Sequence, residues 1–534
     1  MRSKKIKFSF LLLFSLVLGG LLLTGCGVKE PDAATGHPSG IEVYTIADAA
    51  GDWGFPSPYG HYDRGPGILR MSFLFDTLVW RDATAYVPAL AENWEYLEEE
   101  TAYLFELRPD VTWHDGEPFT ARDVAFTFRY LKEHPYSMAD TTAVAAVEVL
   151  DDYRVIIKLH EPFAPFLARI AGAVPILPEH IWQSVENPAE YSQPEAVIGT
   201  GPYKLADYNR EQGSYLYLAN EDYYLGEPLV KQLRFVKLNP QLAGAALLRG
   251  EINYTPIPPE MLDELLGQDI SIVKADYDFA VKLMFNHTKE PFSGKEFRQG
   301  LAYAINRQEL VDIAKRGHGL AGSPGLLSET SPWYNGGVPA YGYDQDRALA
   351  LFEKAGYHYE NGKLVKDGKP AMFTLLFDPD TEREAQLLEK QLEEVGIELR
   401  LRSVETKTRD SLVSDWQFDL ALLGHGGLGT DPAFYTQVIV GPSFHSARYT
   451  ANEQLNNLIK DQLKTMDRES RLGLLKKIQE IYAEEMPCLT LYYPDNYFAH
   501  DGQVELFNTW QGVATGVPLP LNKLSFVQRG GIPQ

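Results

Sequence analysis

Hydrophobic and polar positions alternate strictly in Ile41-Glu42-Val43-Tyr44-Thr45-Ile46, which predicts a strand and the start of the folded body. Residues 103–107 alternate in the same way. Asp115-Gly116 then predicts a turn, and Thr120 can cap a helix whose apolar face is Val124, Phe128 and Leu131. Asp123, three residues after Thr120, completes a capping box. Phe297, Leu301 and Ile305 share one face of a further helix. From residue 340 onward the period changes. Asp344–Ala355 and Thr381–Val395 are amphipathic and stop at Gly356 and Gly396. The strand-like runs Ala371–Phe377 and Ile397–Val404 flank the second helix, an alternation that predicts a parallel α/β sheet. Asn452–Glu485 is helical, and Cys488–Tyr493 reads as a strand recrossing toward the first part of the chain.

The first residues follow another logic. Arg2, Lys4, Lys5 and Lys7 precede an apolar run, Phe8–Leu23, that is shorter than the ~20 residues a spanning helix needs. The run ends in Leu23-Thr24-Gly25-Cys26, which resembles a bacterial lipobox. The resemblance implies that residues 1–25 are a cleaved signal peptide and that Cys26 is diacylated; two acyl chains suffice for stable anchoring. Residues 26–40 are small and polar and read as a flexible tether.

At 534 residues the body should divide into two or three lobes. The formal net charge is −24, and removing residues 1–25 makes it more negative, because they carry four basic and no acidic residues. Nucleic acid is a poor partner for that balance. With Cys26 acylated, Cys488 has no partner and reads as a buried thiol.

Reactive motifs are few. There is no phosphate-binding Gly-x-x-x-x-Gly-Lys-Ser/Thr, no Gly-x-Ser-x-Gly and no His-Glu-x-x-His. Ser271-Ile272-Val273-Lys274 fits Ser-x-x-Lys but lies in a strand-like run without a Lys-Thr-Gly partner. His114 beside Asp115 has no nucleophile to join it and belongs to a hairpin turn. No cofactor is expected.

Four segments carry a family resemblance: Val87–Trp94, Phe105–Val124, Ile198–Gly226 and Phe285–Leu310. The stretches Ile198-Gly199-Thr200-Gly201-Pro202-Tyr203-Lys204-Leu205 and Phe297-Arg298-Gln299-Gly300-Leu301-Ala302-Tyr303-Ala304-Ile305-Asn306-Arg307 are the most recognisable. They resemble the family 5 extracellular solute-binding proteins, the oligopeptide-, dipeptide- and nickel-binding components of ABC importers. The resemblance covers nearly all of Ile41–Phe526. It implies an α/β, two-lobed periplasmic-binding-protein-like fold (type II, cluster C) with a subdomain inserted in the first lobe. The boundaries expected are 41–284 for lobe I, with the insertion at about 80–195, then 285–490 for lobe II and 491–534 for a return to lobe I. It implies a monomeric receptor, extracytoplasmic and held at the cell membrane through Cys26. The receptor would close on a small solute and deliver it to an ABC permease driven by ATPase subunits. Solute contacts to both lobes would favour closure, since only differential affinity shifts such an equilibrium.

The candidate ligand loop is Gly424–Tyr435, which follows the apolar run Phe418–Leu423. Its glycines let backbone approach a solute, and a loop at the end of a buried strand is a favoured ligand position. His425, Gly426, Gly427, Thr430, Asp431 and Tyr435 are the candidate contacts there. Asp431 either receives a ligand or caps a turn. Trp53, Phe55 and Tyr59 lie in a long aromatic loop that is either a binding rim or a lobe-packing segment. In peptide-binding members, a carboxylate about four residues before the loop proline receives the peptide ammonium; Leu428 stands there in this chain. In nickel-binding members a histidine about a dozen residues after the Asp-Pro contacts the chelate. His445 lies one residue beyond that count and is either that ligand or a packed histidine. Ala171–Ile176 shows no counterpart to their anion-binding arginine. A peptide receptor is therefore the first expectation and a metal-chelate receptor the second. A lipid-anchored enzyme or adhesin on the same scaffold is the third. If the loop lines the cleft, His425→Ala and Asp431→Ala should weaken binding and leave apo stability nearly unchanged.

Overall fold

In the computed structural model, the described residues are 40–275, 279–428, 431–509 and 520–527. Cys26, the signal segment and the tether expected before residue 40 lie outside them, as does Thr430. The first sheet has the strand order Ser271–Lys274, Tyr497–His500, Tyr254–Ile257, Ile41–Asp48, Val230–Lys237, Ser214–Ala219 and Tyr203–Asn209. The second has the order Gly319–Ala321, Cys488–Pro494, Ala280–Phe285, Leu420–His425, Met372–Phe377 and Glu398–Ser403. Each sheet carries its own apolar core, so the fold is two-lobed.

The segment between residues 80 and 195 carries a separate four-stranded antiparallel sheet. Against it packs the helix Ala121–Glu133. Thr120 caps that helix, and the Asp123 carboxylate accepts from the Thr120 backbone N–H, so the expected capping box forms. Val124, Phe128 and Leu131 are buried beneath it. His114 is structural: its Nδ1 accepts from the Gly199 N–H at 3.2 Å and its Nε2 lies 3.0 Å from the Gly201 carbonyl. Gly199 itself tolerates no side chain, because a Cβ would sit 1.9 Å from the Leu74 carbonyl oxygen.

Two features differ from the sequence reading. The second sheet is mixed rather than parallel. Met372–Phe377 runs parallel to Glu398–Ser403 and to Leu420–His425, but Ala280–Phe285 is antiparallel to both of its neighbours. An apolar run shows that a strand is buried and not which way its neighbour runs. The lobe boundary also moves. Residue 284 falls inside Ala280–Phe285, a strand of the second sheet, so the boundary lies before residue 280. Cys488–Pro494 pairs deep in the second sheet, and the chain recrosses only at Asp495-Asn496 before Tyr497–His500. The Ala275 N–H donates to the Asn496 carbonyl at 2.9 Å, and Lys274 pairs with Asp495 at 2.8 Å, so the two crossings are joined side by side. Cys488 is a buried free thiol 2.8 Å from the Tyr482 hydroxyl.

Candidate functional site

The lobes meet at several places, among them ion pairs from Glu260 of lobe I to Arg316 and Arg383 of lobe II. The Ala164 N–H from the inserted subdomain donates to the Leu463 carbonyl at 2.7 Å, and Glu161 pairs with Lys464 at 2.6 Å. Arg64, from the aromatic loop of lobe I, pairs with Asp410 of lobe II at 3.2 Å. Its guanidinium also lies 5.9 Å from the centre of the Phe444 ring.

The glycine-rich loop leaves the strand Leu420–His425 beside His445, whose neighbour Phe444 lies under Arg64. Gly427 has φ +92°, which a larger residue resists, and Gly426 is exposed. His425 is 6% exposed. Its Nδ1 lies 2.8 Å from the Gly426 carbonyl and therefore carries the proton, so Nε2 presents a buried lone pair with no protein partner. The His445 ring lies 6.1 Å from it, centre to centre, and its Nδ1 is likewise buried without a partner. Beneath both sits Lys282, fully buried, whose ammonium donates to the His445 carbonyl at 3.1 Å. Burial, followed by the Lys282 charge, holds both imidazoles neutral: His425 well below its ordinary pKa and His445 down at about 3.

That arrangement has a pH consequence. The folded pKa of His445 lies below the unfolded value of about 6.5. Folding therefore gains from the neutral ring above pH ~6.5 and loses that gain as pH falls toward ~3. His445→Gln should flatten the decline in unfolding free energy between those limits, read from urea titrations at stepped pH. An unchanged slope would show that His445 is not titrating with unfolding.

The other expected contacts meet different partners. Asp431 is 7% exposed and forms a two-pronged ion pair with Arg471, at 2.6 Å to Oδ2 and 2.5 Å to Oδ1. Its Oδ1 also accepts from the Ala433 N–H at 2.8 Å. Arg471 continues to the Gln462 side-chain oxygen. The acid thus closes a turn and anchors it to the helix Arg468–Glu485. Tyr435 has no exposed surface; it stacks on Phe434 in the lobe II core, where Leu428 is also buried. Trp53, Phe55 and Tyr59 are half-buried in lobe I. The Trp53 indole N–H donates to Asp48, Phe55 packs on Tyr208, and the Tyr59 hydroxyl donates to the His134 carbonyl. The Tyr59 ring contacts Tyr130, Tyr136 and Trp182, which is the packing alternative for that loop.

One residue was missed. Arg169 lies in a π-helical turn, Leu167–Ala171, of the inserted subdomain. Its guanidinium has no hydrogen bond or ion pair to any described residue. Burial lowers its pKa and the charge of Asp431, from the other lobe, opposes the shift. Burial pushes the Tyr86 hydroxyl up to about 12, with the charges of Arg81, Asp431, Arg471 and Arg169 acting on it in turn. The sequence signal was present. Arg169 is the lone charge between Glu161 and Glu179 in an otherwise apolar run.

A two-lobed fold with a polar, glycine-rich loop near the contacts between the lobes suits a receptor that encloses a solute. The model of the bacterial extracellular solute-binding proteins, family 5, matches residues 85–446. The chain belongs to that family. As a family 5 solute-binding protein it is an extracytoplasmic receptor and not an enzyme. Its relatives include the oligopeptide-binding protein AppA of Bacillus subtilis, 28% identical, with 94% of this chain and 96% of that protein covered. The dipeptide-binding protein of Escherichia coli is 26% identical over 76% of this chain and 81% of its own. Among solved structures, AppA of Bacillus subtilis with a nonapeptide superposes with a TM-score of 0.75 at 24% identity, covering 90% of this chain and 99% of that one. NikZ of Campylobacter jejuni with Ni(L-His) superposes equally well, at 0.75, with 22% identity and 90% and 98% coverage.

Proposed function

We propose that this family 5 protein is the solute receptor of an ABC importer, that it encloses a peptide between its lobes, and that acyl chains on Cys26 hold it at the membrane beside the permease. The observation that carries the reading is geometric. Contacts from lobe I reach lobe II at Arg64–Asp410 and Ala164–Leu463. Near the first of these, His425 of the glycine-rich loop and His445 present buried ring nitrogens that no described residue partners. Relatives named for oligopeptide and dipeptide binding, aligned along most of the chain, support the solute class. The lobes are set by two crossings that can bend together, which suits hinge closure.

Small-angle scattering tests it. A pool of short peptides added to dialysed protein should reduce the radius of gyration and raise the melting temperature together. If the peptide pool changes neither, enclosure of a peptide is refuted.

A second reading is favoured by His425 and His445. Two neutral imidazoles with unpartnered nitrogens, 6.1 Å apart between ring centres, present lone pairs of the kind a metal takes. Burial lowers the Lys282 pKa, and wherever that ammonium keeps its proton its charge beside the imidazoles disfavours a bare cation, so the metal would arrive already chelated by anionic groups. Calorimetric titration with nickel plus histidine, against nickel alone, separates these readings.

A further inference from the structure

The inserted subdomain reaches lobe II through a short segment, Glu161-Pro162-Phe163-Ala164-Pro165. Prolines on either side of Phe163-Ala164 fix φ and stiffen the segment. Phe163 and Leu167 anchor it, half-buried against the lobe I core. On the lobe II side stands the turn between the helices Glu453–Lys464 and Arg468–Glu485. That turn is fixed as well. The Thr465 hydroxyl donates to the Asp461 carbonyl at 2.8 Å, and the Asp467 carboxylate accepts from the Ser470 N–H at 2.8 Å.

Three contacts join the two sides. The last carbonyls of a helix have no partner within it. The Leu463 carbonyl is one of these, and it accepts from the Ala164 N–H at 2.7 Å. Met466, in the turn, packs half-buried against the apolar core of lobe I. Glu161 and Lys464 pair at 2.6 Å, but their side chains are 55% and 49% exposed, so water and salt screen the pair. The backbone bond and the Met466 contact therefore carry most of the junction. Both sides are rigid before they meet, so little conformational entropy is lost on joining. None of the three contacts involves the glycine-rich loop.

We propose that the inserted subdomain is the closing arm of the receptor: Ala164 and its neighbours clasp residues 463–466 each time the lobes close, and this clasp adds the same increment to closure whatever solute is inside. The inference rests on the solute-enclosing reading and gives the subdomain its part in it. An increment common to every solute raises affinity without discriminating, because it favours the closed state and not one ligand over another. Peptides of unlike sequence are then held with comparable strength, and selection is left to the groups that touch them.

The test uses the full-length protein, dialysed free of small molecules, and two peptides of unlike sequence, each taken from the pool of short peptides as one that compacts the wild type. The half-maximal concentration of each is read from the fall in radius of gyration. Met466→Ser should raise both concentrations by the same factor, about three- to tenfold, the scale of one partly buried apolar side chain. Lys464→Ala should raise them by about twofold or less, because the pair it breaks is half exposed. The melting temperature of ligand-free Met466→Ser should match wild type, since the contact forms on closure. In the wild type, either peptide should slow deuterium uptake in a fragment covering residues 161–166, which contains the Ala164 amide. Unchanged half-maximal concentrations in Met466→Ser overturn the inference. So does a factor that differs severalfold between the two peptides, which would place Met466 against the solute. A fall in the ligand-free melting temperature would make Met466 a structural residue and also overturns it, as does deuterium uptake that ignores both peptides. If no peptide in the pool compacts the wild type, enclosure fails and the clasp with it, a result distinct from the others.

Discussion

Arg471→Met should lower the unfolding free energy of the ligand-free protein by about 3–5 kcal/mol. The substitution leaves the Asp431 carboxylate at 7% exposure with only the Ala433 N–H to answer it. A buried charge stripped of its partner costs far more than the pair contributed. The Gln462 side-chain oxygen, which accepts from Arg471 twice, is orphaned at the same time. The loss should be asymmetric. The double variant Asp431→Leu with Arg471→Met should recover much of it, because an apolar pair of similar volume is often as stable as a buried ion pair. Urea unfolding of the wild type, both single variants and the double variant closes the cycle. A single-variant loss below about 1 kcal/mol would show that the pair is wetter than its geometry implies. This reverses the expectation that Asp431→Ala leaves apo stability nearly unchanged: Asp431 is a tie between the loop and the helix Arg468–Glu485.

Lys523→Met should have an effect of the same order, about 3–5 kcal/mol, in lobe I. Lys523 and Asp76 form an ion pair with essentially no exposure on either side. The ammonium also faces the Trp80 ring, 4.1 Å from its centre. Asp76 would keep the Thr200 and Tyr223 hydroxyls, at 3.3 and 3.4 Å, but both are long contacts for a naked carboxylate. The consequence is also local. Residues 520–527 return to lobe I through this pair and through the Leu229 N–H donating to the Phe526 carbonyl at 2.7 Å. Limited proteolysis of Lys523→Met should cut near this segment before the rest of the fold opens. If global unfolding and cleavage there stay coincident with wild type, the pair is not what fastens the segment.

Local chemistry was readable in the sequence where the signal was itself local. Strict alternation marked Ile41–Asp48, and Thr120 with Asp123 announced the helix Ala121–Glu133. Asn452 and Asp467 cap the two helices inside the stretch read as helical, each accepting from a backbone N–H three residues on. What failed was pairing at a distance. Arg471 lies 40 residues from Asp431, and nothing in the loop's own composition names it. Tyr435 belongs to the core because the chain after Asp431 turns inward into the π-helical segment Thr436–Val440, a conformation without a simple periodic signature. Propensity describes a residue's own backbone, and a binding site is defined by what the fold brings opposite it.

The chain segments at the boundary between the lobes are tied together at Ala275 to Asn496 and Lys274 to Asp495. Two strands fastened side by side bend as one strap and resist shear and twist. A receptor fastened this way is expected to sample a narrow arc of lobe orientations instead of a wide cone. Less orientational entropy remains to be surrendered when a solute draws the lobes together, so more of each contact appears as affinity. The fastening is a form of preorganisation that acts on the whole molecule while standing outside the binding site.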